Sequence, residues 1–191
     1  MKAPLLLVVG VAAALIAAAS VSYLLTRELQ SETTPNLAAL TAPQVPRTVT
    51  LTALTLPDTA GVNQSLTQWR GKILVVNFWA TWCPPCREEM PAFSRLAEKH
   101  AANGVQFVGI SIDTLNNVLD FQKRNPVSYP LLIGTMETVQ NTIPLGNSAQ
   151  ALPFTAIFDQ TSRLHSVKLG RLAEAELAHI LETLEANAGV K

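Results

Sequence analysis

The stretch Ile73–Cys86 reads ILVVNFWATWCPPC, and it decides the fold. Its apolar first part, Ile73 to Ala80, is typical of a buried strand. The residues from Arg87 to His100 that follow predict a helix. The only two cysteines of the chain, Cys83 and Cys86, therefore lie where a strand passes into a helix N-terminus. Side chains three positions apart share one face of a helical turn, so this spacing suits a disulfide that opens and closes.

The position of the cysteines predicts their roles in thiol chemistry. Unpaired backbone N–H groups and the helix dipole favour an anion at a helix N-terminus, so Cys83 is predicted to be the nucleophilic thiolate. Cys86, one turn further and more enclosed, is predicted to be the resolving thiol. Pro84 and Pro85 fit the first helical turn, but they remove two N–H donors that could have stabilised the Cys83 thiolate. We therefore expect a weakly stabilised thiolate, which favours a reductant over an oxidant.

Two structural interpretations of the cysteine pair compete with redox activity. Half of a zinc site is one, but structural zinc usually needs four ligands, and the chain has no second cysteine pair. A permanent disulfide is the other, although closing so short a loop constrains the unfolded chain little. The context of strand, tryptophan and helix start favours a redox-active pair.

The N-terminus predicts export from the cytosol. Residues 5–25 contain no charged side chain and are long enough to cross a bilayer, which takes about 20 apolar residues. Lys2 before this segment favours an N-terminus inside and the rest of the chain outside. We interpret residues 1–27 as a membrane anchor. A cleaved signal peptide is the alternative, because Ala17–Ala19 offers a cleavage site after a short apolar core.

Composition divides the remaining chain into a linker and one domain. Residues 28–47 hold three prolines among Ser, Thr, Asn and Gln, a composition typical of a flexible linker. Residues 48–191 are enough for one domain with a sizeable core. The chain has 14 basic and 14 acidic residues and no basic cluster, so nucleic-acid binding is not expected.

Strand and helix patterns alternate through the domain. They predict an α/β sheet with crossover connections that ends in an antiparallel hairpin. The strands expected besides the central one are 48–54, 105–112, 129–133, 154–158 and 164–169. The helices expected after Arg87–His100 are 116–124 and 173–186.

The run from Val75 to Pro91, VVNFWATWCPPCREEMP, resembles the thioredoxin superfamily. Within it, the sequence closely resembles the membrane-anchored TlpA/ResA-like thiol–disulfide oxidoreductases of bacteria. The similarity continues through the lead-in at 66–72, the strand 108–113 and the Leu152-Pro153 step to Gly170. It implies a thioredoxin-like fold, with a central mixed sheet flanked by helices, an N-terminal strand extension and one extra βα insert, after a single N-terminal transmembrane helix.

The resemblance also implies how protons are handled beside the dithiol. Thioredoxins place a buried Asp on the central strand as a proton acceptor for the resolving cysteine, and Asn77, which cannot titrate, stands at that position. In ResA-like proteins a Glu three residues after the second cysteine has a related role, and Glu89 stands there. The competing interpretation of Glu89 is a solvated side chain that only favours the helix dipole.

Substrate is expected to bind around the dithiol and a cis proline. The resemblance implies a cis peptide before Pro153, packed against the cysteines, where neighbouring backbone can pair with an extended substrate. Trp82 is expected at the surface, where partners dock, and Trp79 in the core. The predicted substrate-binding residues are Trp82, Pro84, Pro85, Leu152 and Pro153.

Two further stretches differ from the family pattern. The cytochrome c maturation branch typically has Glu after the cis proline, whereas Phe154 and Thr155 follow here, which argues against a dedicated role in haem maturation. Thr135–Gln150 also departs from the common pattern, and it is a candidate to shape the substrate groove.

The sequence thus predicts an exported reductase of protein disulfides, anchored in the bacterial inner membrane with its domain in the periplasm. Cys83 attacks the substrate disulfide and Cys86 resolves the mixed disulfide. No soluble cofactor is implied, but the family and the compartment imply a membrane electron donor of the DsbD/CcdA kind. Two alternatives stay open: an oxidase or isomerase working in the opposite direction, and a Cu(I)-binding metallochaperone that uses the same cysteines with His165 as third ligand.

Overall fold

The computed structural model describes residues 50–188. The predicted anchor and the predicted linker both lie outside the described residues. Within the described part, no helix is both long and apolar enough to cross a membrane.

A mixed five-stranded sheet forms the centre of the domain; it consists of β3 to β7, which follow the two short strands β1, Thr55–Pro57, and β2, Asn63–Ser65. Numbered along the chain with the bounds given below, the five strands lie in the order β5-β4-β3-β6-β7. β3 runs parallel to β4, and β4 runs parallel to β5, whereas β6 pairs antiparallel with both β3 and β7. The central strand β3 is buried along its whole length, as its continuous apolar run predicts. The bounds of these strands are Ile73–Trp79 for β3, Val105–Ser111 for β4, Leu131–Ile133 for β5, Phe154–Phe158 for β6 and Leu164–Leu169 for β7.

The helices connect the strands and cover the sheet. One face of the sheet packs on α1 and α4, with Val75, Phe93 and Leu181 in a single apolar cluster. The opposite face buries Val76 and Val139 in a second cluster. The helices are α1, Pro84–His100; α2, Leu115–Arg124; α3, Met136–Gln140; and α4, Glu174–Ala188. The predicted thioredoxin-like α/β fold, a mixed sheet flanked by helices, is confirmed.

The predicted strand over 48–54 is wrong for its described part. Thr50–Ala53 forms a 3₁₀ turn, in which the N–H of Leu54 donates to the C=O of Leu51 at 3.1 Å. The alternating threonines and leucines suggested a strand, but the turn instead places Leu51 fully inside the core. A strand starts only afterwards, where β1, Thr55–Pro57, pairs antiparallel with β2, Asn63–Ser65, in a separate two-stranded sheet.

The strand predicted over 129–133 is shorter than expected. β5 begins at Leu131, because Pro130 has no N–H to give to a sheet and contributes only its C=O, which accepts from Gly109 at 3.0 Å. The remaining predicted strands and helices are confirmed within a few residues at each end. The final hairpin, β6 and β7, has the predicted bounds.

Candidate active site

The two cysteines lie at the start of α1, just after the end of β3. Cys83 is the N-cap residue of α1, Pro84 and Pro85 occupy its first two positions, and Cys86 is the third. A disulfide of 2.05 Å joins the sulfurs of Cys83 and Cys86. Both cysteines are buried, and Cys86 is the more enclosed, with 0% of its surface exposed against 4% for Cys83.

The two prolines leave few donors for a charge on Cys83. A helix N-terminus ordinarily presents several unpaired N–H groups to its cap residue. Here Pro84 and Pro85 have none, and the N–H of Cys83 itself already donates to the C=O of Ala80 at 3.1 Å. The N–H of Cys86 is the only one that the first three helical positions supply. A thiolate on Cys83 would therefore receive less hydrogen-bond stabilisation than at an ordinary helix start.

A buried carboxyl group lies one helical turn beyond Cys86. Glu89 is only 1% exposed, which rules out the competing interpretation of a solvated residue. Its Oε1 accepts from Nδ2 of Asn77 at 2.8 Å, and its Oε2 accepts from the backbone N–H of Leu172 at 2.8 Å. Burial raises the pKa of Glu89 to about 7, although the hydrogen bonds from Leu172 and Asn77 and the charge of Arg171 oppose the shift.

The sequence did not indicate the role of Asn77 at this site. The prediction treated it as a position that had lost an acid, but the structure makes it the hydrogen-bond donor that holds Glu89. Its Nδ2 also donates to Oγ1 of Thr155 at 3.1 Å, across the register pair that joins β3 to β6. A single polar residue inside an otherwise apolar buried strand was the available signal, because such a group needs partners.

Tyr129 is a second buried titratable residue that sequence reasoning missed. Its side chain is buried beside α1 and β4, and its hydroxyl makes no hydrogen bond within the described residues. Burial raises the pKa of the Tyr129 hydroxyl, and the charge of Glu89 raises it further. Tyr129 therefore stays neutral while Glu89 titrates.

An apolar groove opens beside Cys83, with a volume of about 380 Å³. Trp82 is 64% exposed at its rim, as predicted, whereas Trp79 is fully buried. The Leu152-Pro153 peptide is cis, which confirms the prediction, and Leu152 contributes to the wall. Of the predicted substrate-binding residues, all but Pro153 line the groove, and Pro153 is buried next to it. The lining residues are Trp82, Cys83, Pro84, Pro85, Ile112, Met136, Gln150, Ala151 and Leu152.

His165 is not brought to the cysteines. It lies exposed on β7, four residues before Leu169, which is the residue that pairs with Phe154 beside Pro153. Four residues of strand span about 13 Å, so His165 is exposed near the end of β7 that lies away from Pro153. Between residues 50 and 188, no three His, Cys, Asp or Glu side chains are grouped so that they could hold a metal ion.

Comparison with known proteins agrees with this geometry. The AhpC/TSA family profile matches residues 49–167. The thiol-disulfide oxidoreductase ResA of Geobacillus kaustophilus is 26% identical over 186 residues, covering 97% of this chain and 99% of the relative. The thioredoxin-like protein YneN of Bacillus subtilis is 30% identical over 131 residues, covering 66% of this chain and 74% of YneN.

A solved structure shares the fold. A thiol:disulfide interchange protein of the thioredoxin family from Chlorobium tepidum superposes with a TM-score of 0.64 at 28% identity. The match covers 69% of this chain and 92% of that one. The chain therefore belongs to the AhpC/TSA family, and it is a thioredoxin-like thiol–disulfide oxidoreductase with its C-x-x-C pair at the start of α1.

Proposed function

We propose that this protein reduces protein disulfides outside the cytosol. The observation that carries the proposal is the first turn of α1, where Pro84 and Pro85 withhold two N–H donors from Cys83. A poorly stabilised thiolate makes the dithiol form less stable relative to the disulfide, and a dithiol of that kind gives its electrons away more readily. The pair therefore works as a reductant.

The reaction follows from the placement of the two sulfurs. The Cys83 thiolate, at the edge of the groove, attacks one sulfur of the substrate disulfide, and the other substrate sulfur leaves as a thiolate. Cys86 then loses its proton and attacks Cys83, which releases the second substrate sulfur and forms the Cys83–Cys86 disulfide. Two electrons pass from the dithiol to the substrate.

Glu89 is the proton acceptor for the second of these steps. It lies three positions after Cys86, so the two side chains share one face of α1. A carboxyl with a pKa of about 7 is divided between its two protonation states near neutral pH, so it can take a proton from a thiol and return it. In this account Asn77 and Leu172 hold the carboxylate, and Tyr129 stays a neutral neighbour.

The groove supports an extended polypeptide as the substrate. Apart from Gln150, its walls are apolar, and none of its lining side chains carries a charge. Trp82 at the rim offers a large exposed surface to a docking partner. An extended segment on either side of the attacked cysteine would bury this surface while its sulfur meets Cys83.

The cellular setting is part of the proposal and rests on the sequence. Residues 5–25 anchor the protein in the inner membrane, with residues 48–191 in the periplasm. Because the periplasm is oxidising, a membrane electron donor of the DsbD/CcdA kind returns the dithiol to its reduced form. Labelling of Cys83 and Cys86 in intact cells by a membrane-impermeant maleimide tests the orientation, and protection of both thiols until lysis would contradict it.

A direct assay tests the reaction. The pre-reduced protein, mixed with an equal amount of insulin, should reduce insulin disulfides in a single turnover and end with Cys83 joined to Cys86. Cys86→Ser should instead stop at a mixed disulfide between Cys83 and the substrate. Insulin that stays oxidised, while reduced insulin becomes oxidised by the disulfide form, would reverse the proposed direction.

A further inference from the structure

The chain between β5 and β6 forms one wall of the groove beside Cys83. It contains α3 and a 3₁₀ turn at Ile143–Leu145, and it contributes Met136 and Gln150 to the lining. Met136 is 51% exposed, although it is a large apolar residue.

Asn147 fixes the shape of this wall from inside. It is fully buried, and its side chain forms hydrogen bonds with both the N–H and the C=O of Ala151. Its Oδ1 accepts from the N–H of Ala151 at 2.9 Å, and its Nδ2 donates to the C=O of Ala151 at 3.1 Å. The same Nδ2 donates to Oγ1 of Thr142 at 3.0 Å, and that hydroxyl donates to the C=O of Val139 at 2.6 Å. This chain of hydrogen bonds therefore connects Ala151 to α3.

The residue after Ala151, Leu152, has backbone groups that are not used by these hydrogen bonds. Within the described residues, neither the N–H nor the C=O of Leu152 makes a hydrogen bond. Leu152 is half-buried in the groove wall, one residue after Ala151 and directly before Pro153. Gln150, on the other side of Ala151, has a positive φ of 50°, so the chain turns sharply as it enters the groove. Unpaired backbone groups at the rim of a groove are suited to an extended peptide.

We propose that Asn147 is a positioning residue for the substrate strand and that Met136 selects a bulky apolar residue beside the attacked substrate cysteine. The inference rests on the proposed function and adds its substrate class. Asn147 holds Ala151, which leaves the unpaired backbone groups of Leu152 available to the substrate. Met136 lines the same groove, whose lining residues carry no charge, and its flexible thioether side chain adapts to apolar partners.

The test uses the full chain, purified in mild detergent and pre-reduced. The probes are two short peptides that differ only before their cysteine, with Leu in one and Glu in the other, each cysteine being disulfide-linked to thionitrobenzoate. Attack by Cys83 on the peptide sulfur breaks that bond and expels coloured thionitrobenzoate, whose low pKa makes it the better leaving group. Cys86 then releases the peptide thiol. The mixed disulfide of mercaptoethanol and thionitrobenzoate serves as a probe without a peptide.

Met136 variants test the selectivity. The unchanged protein should react with the Leu peptide about tenfold faster than with the Glu peptide. Met136→Lys should abolish or reverse this preference, because it places a charge in an apolar wall. Ile143→Lys is the matched control, since it adds the same charge at an exposed residue of the same segment that does not line the groove. An unchanged preference in Met136→Lys, or an equal loss in Ile143→Lys, would overturn the assignment.

Asn147 variants test the positioning. Asn147→Ala and Asn147→Asp should each slow both peptides by about tenfold, while the rate with the mercaptoethanol probe stays within about twofold. Asn141→Ala is the control, because Nδ2 of Asn141 donates to Thr138 in the same segment without reaching Ala151. Equal slowing of all three probes by Asn147→Asp would contradict a positioning role. If the unchanged protein reacts with none of the probes, the proposed function itself fails. If the Asn147 variants react at normal rates and Met136→Lys keeps the preference for the Leu peptide, only this inference fails.

Discussion

The side-chain amide of Asn77 donates to the carboxylate of Glu89 at 2.8 Å inside the core of the domain. The donor comes from the central strand and the acceptor from the helix that begins with the dithiol. An amide at this position cannot titrate, so the proton chemistry beneath the cysteines is left to a single acid. The pairing explains how an ionised carboxylate is tolerated at a fully buried site.

Replacing Glu89 with Gln should remove most of the pH dependence of stability between pH 4.5 and 7. The folded pKa of Glu89, about 7, lies above the unfolded value of 4.5, so the native state binds more protons in that window. Its contribution is therefore fully present below pH 4.5 and is lost as the pH rises to 7, amounting to about 3 kcal/mol. Urea unfolding at pH 5 and pH 8 should show a smaller difference for Glu89→Gln than for the unchanged protein. The same difference in both proteins would contradict this account.

Asn77→Asp should convert the single titration beneath the dithiol into two coupled steps. Two carboxyl groups at hydrogen-bond distance share one proton, because like charges that close cannot both ionise without a large cost. The upper step should lie well above 7, and carbon NMR of the two carboxyl groups would follow it. Asn116→Asp is the matched control, since Asn116 is exposed on α2 and its new acid should titrate near 4. One unperturbed step at Glu89 in Asn77→Asp would show that the two side chains are not in contact.

Pro85→His should make the Cys83–Cys86 couple more oxidising by about 30 mV or more. The change restores an N–H at the second helical position and adds an imidazole near the sulfur, both of which stabilise the Cys83 thiolate. Equilibration against glutathione measures the shift. Pro91→Ala is the control, because it restores an N–H inside α1 two turns beyond the cysteines. An unchanged potential in Pro85→His would remove the basis for assigning a reductant from the two prolines.

Trp82→Ala should slow the reduction of a protein disulfide by roughly tenfold and leave small disulfides unaffected. The side chain is exposed at the groove rim, so its loss should change the free energy of unfolding by less than about 0.5 kcal/mol. Insulin and hydroxyethyl disulfide are suitable substrates for the comparison. Val62→Ala, an exposed apolar residue between β1 and β2, is the control and should change neither rate. Equal slowing of both substrates by Trp82→Ala would indicate a structural role.

Local sequence patterns determined the parts of the fold that depend on neighbours along the chain. The apolar run of β3, the hairpin of β6 and β7, and the placement of Cys83 at the start of α1 each follow from a few consecutive residues. The strand prediction over 48–54 was wrong because it too relied on a local pattern alone. Alternating apolar residues satisfy a strand, but a 3₁₀ turn that buries one leucine, Leu51, satisfies them equally well.

Contacts between distant residues account for what the sequence did not indicate. Glu89 was predicted from the resemblance to ResA-like proteins, whereas its donors come from Asn77 on another element and from Leu172, which is 83 positions away. The groove wall is a similar case. Asn147 reads as an ordinary loop residue until the turn at Gln150 brings Ala151 back to it. Burial and partners of this kind arise only when the sheet and its connections have assembled.

The reduction potential of the Cys83–Cys86 couple is the most direct test of the proposed direction of electron flow. It is measured on the protein without residues 1–27, equilibrated against glutathione or dithiothreitol. A value near or below about −230 mV, towards that of thioredoxin, is the predicted result, and it would require a membrane source of electrons in the periplasm. A value near about −120 mV, typical of a strong oxidant, would contradict the proposed reductase and the effect assigned to Pro84 and Pro85.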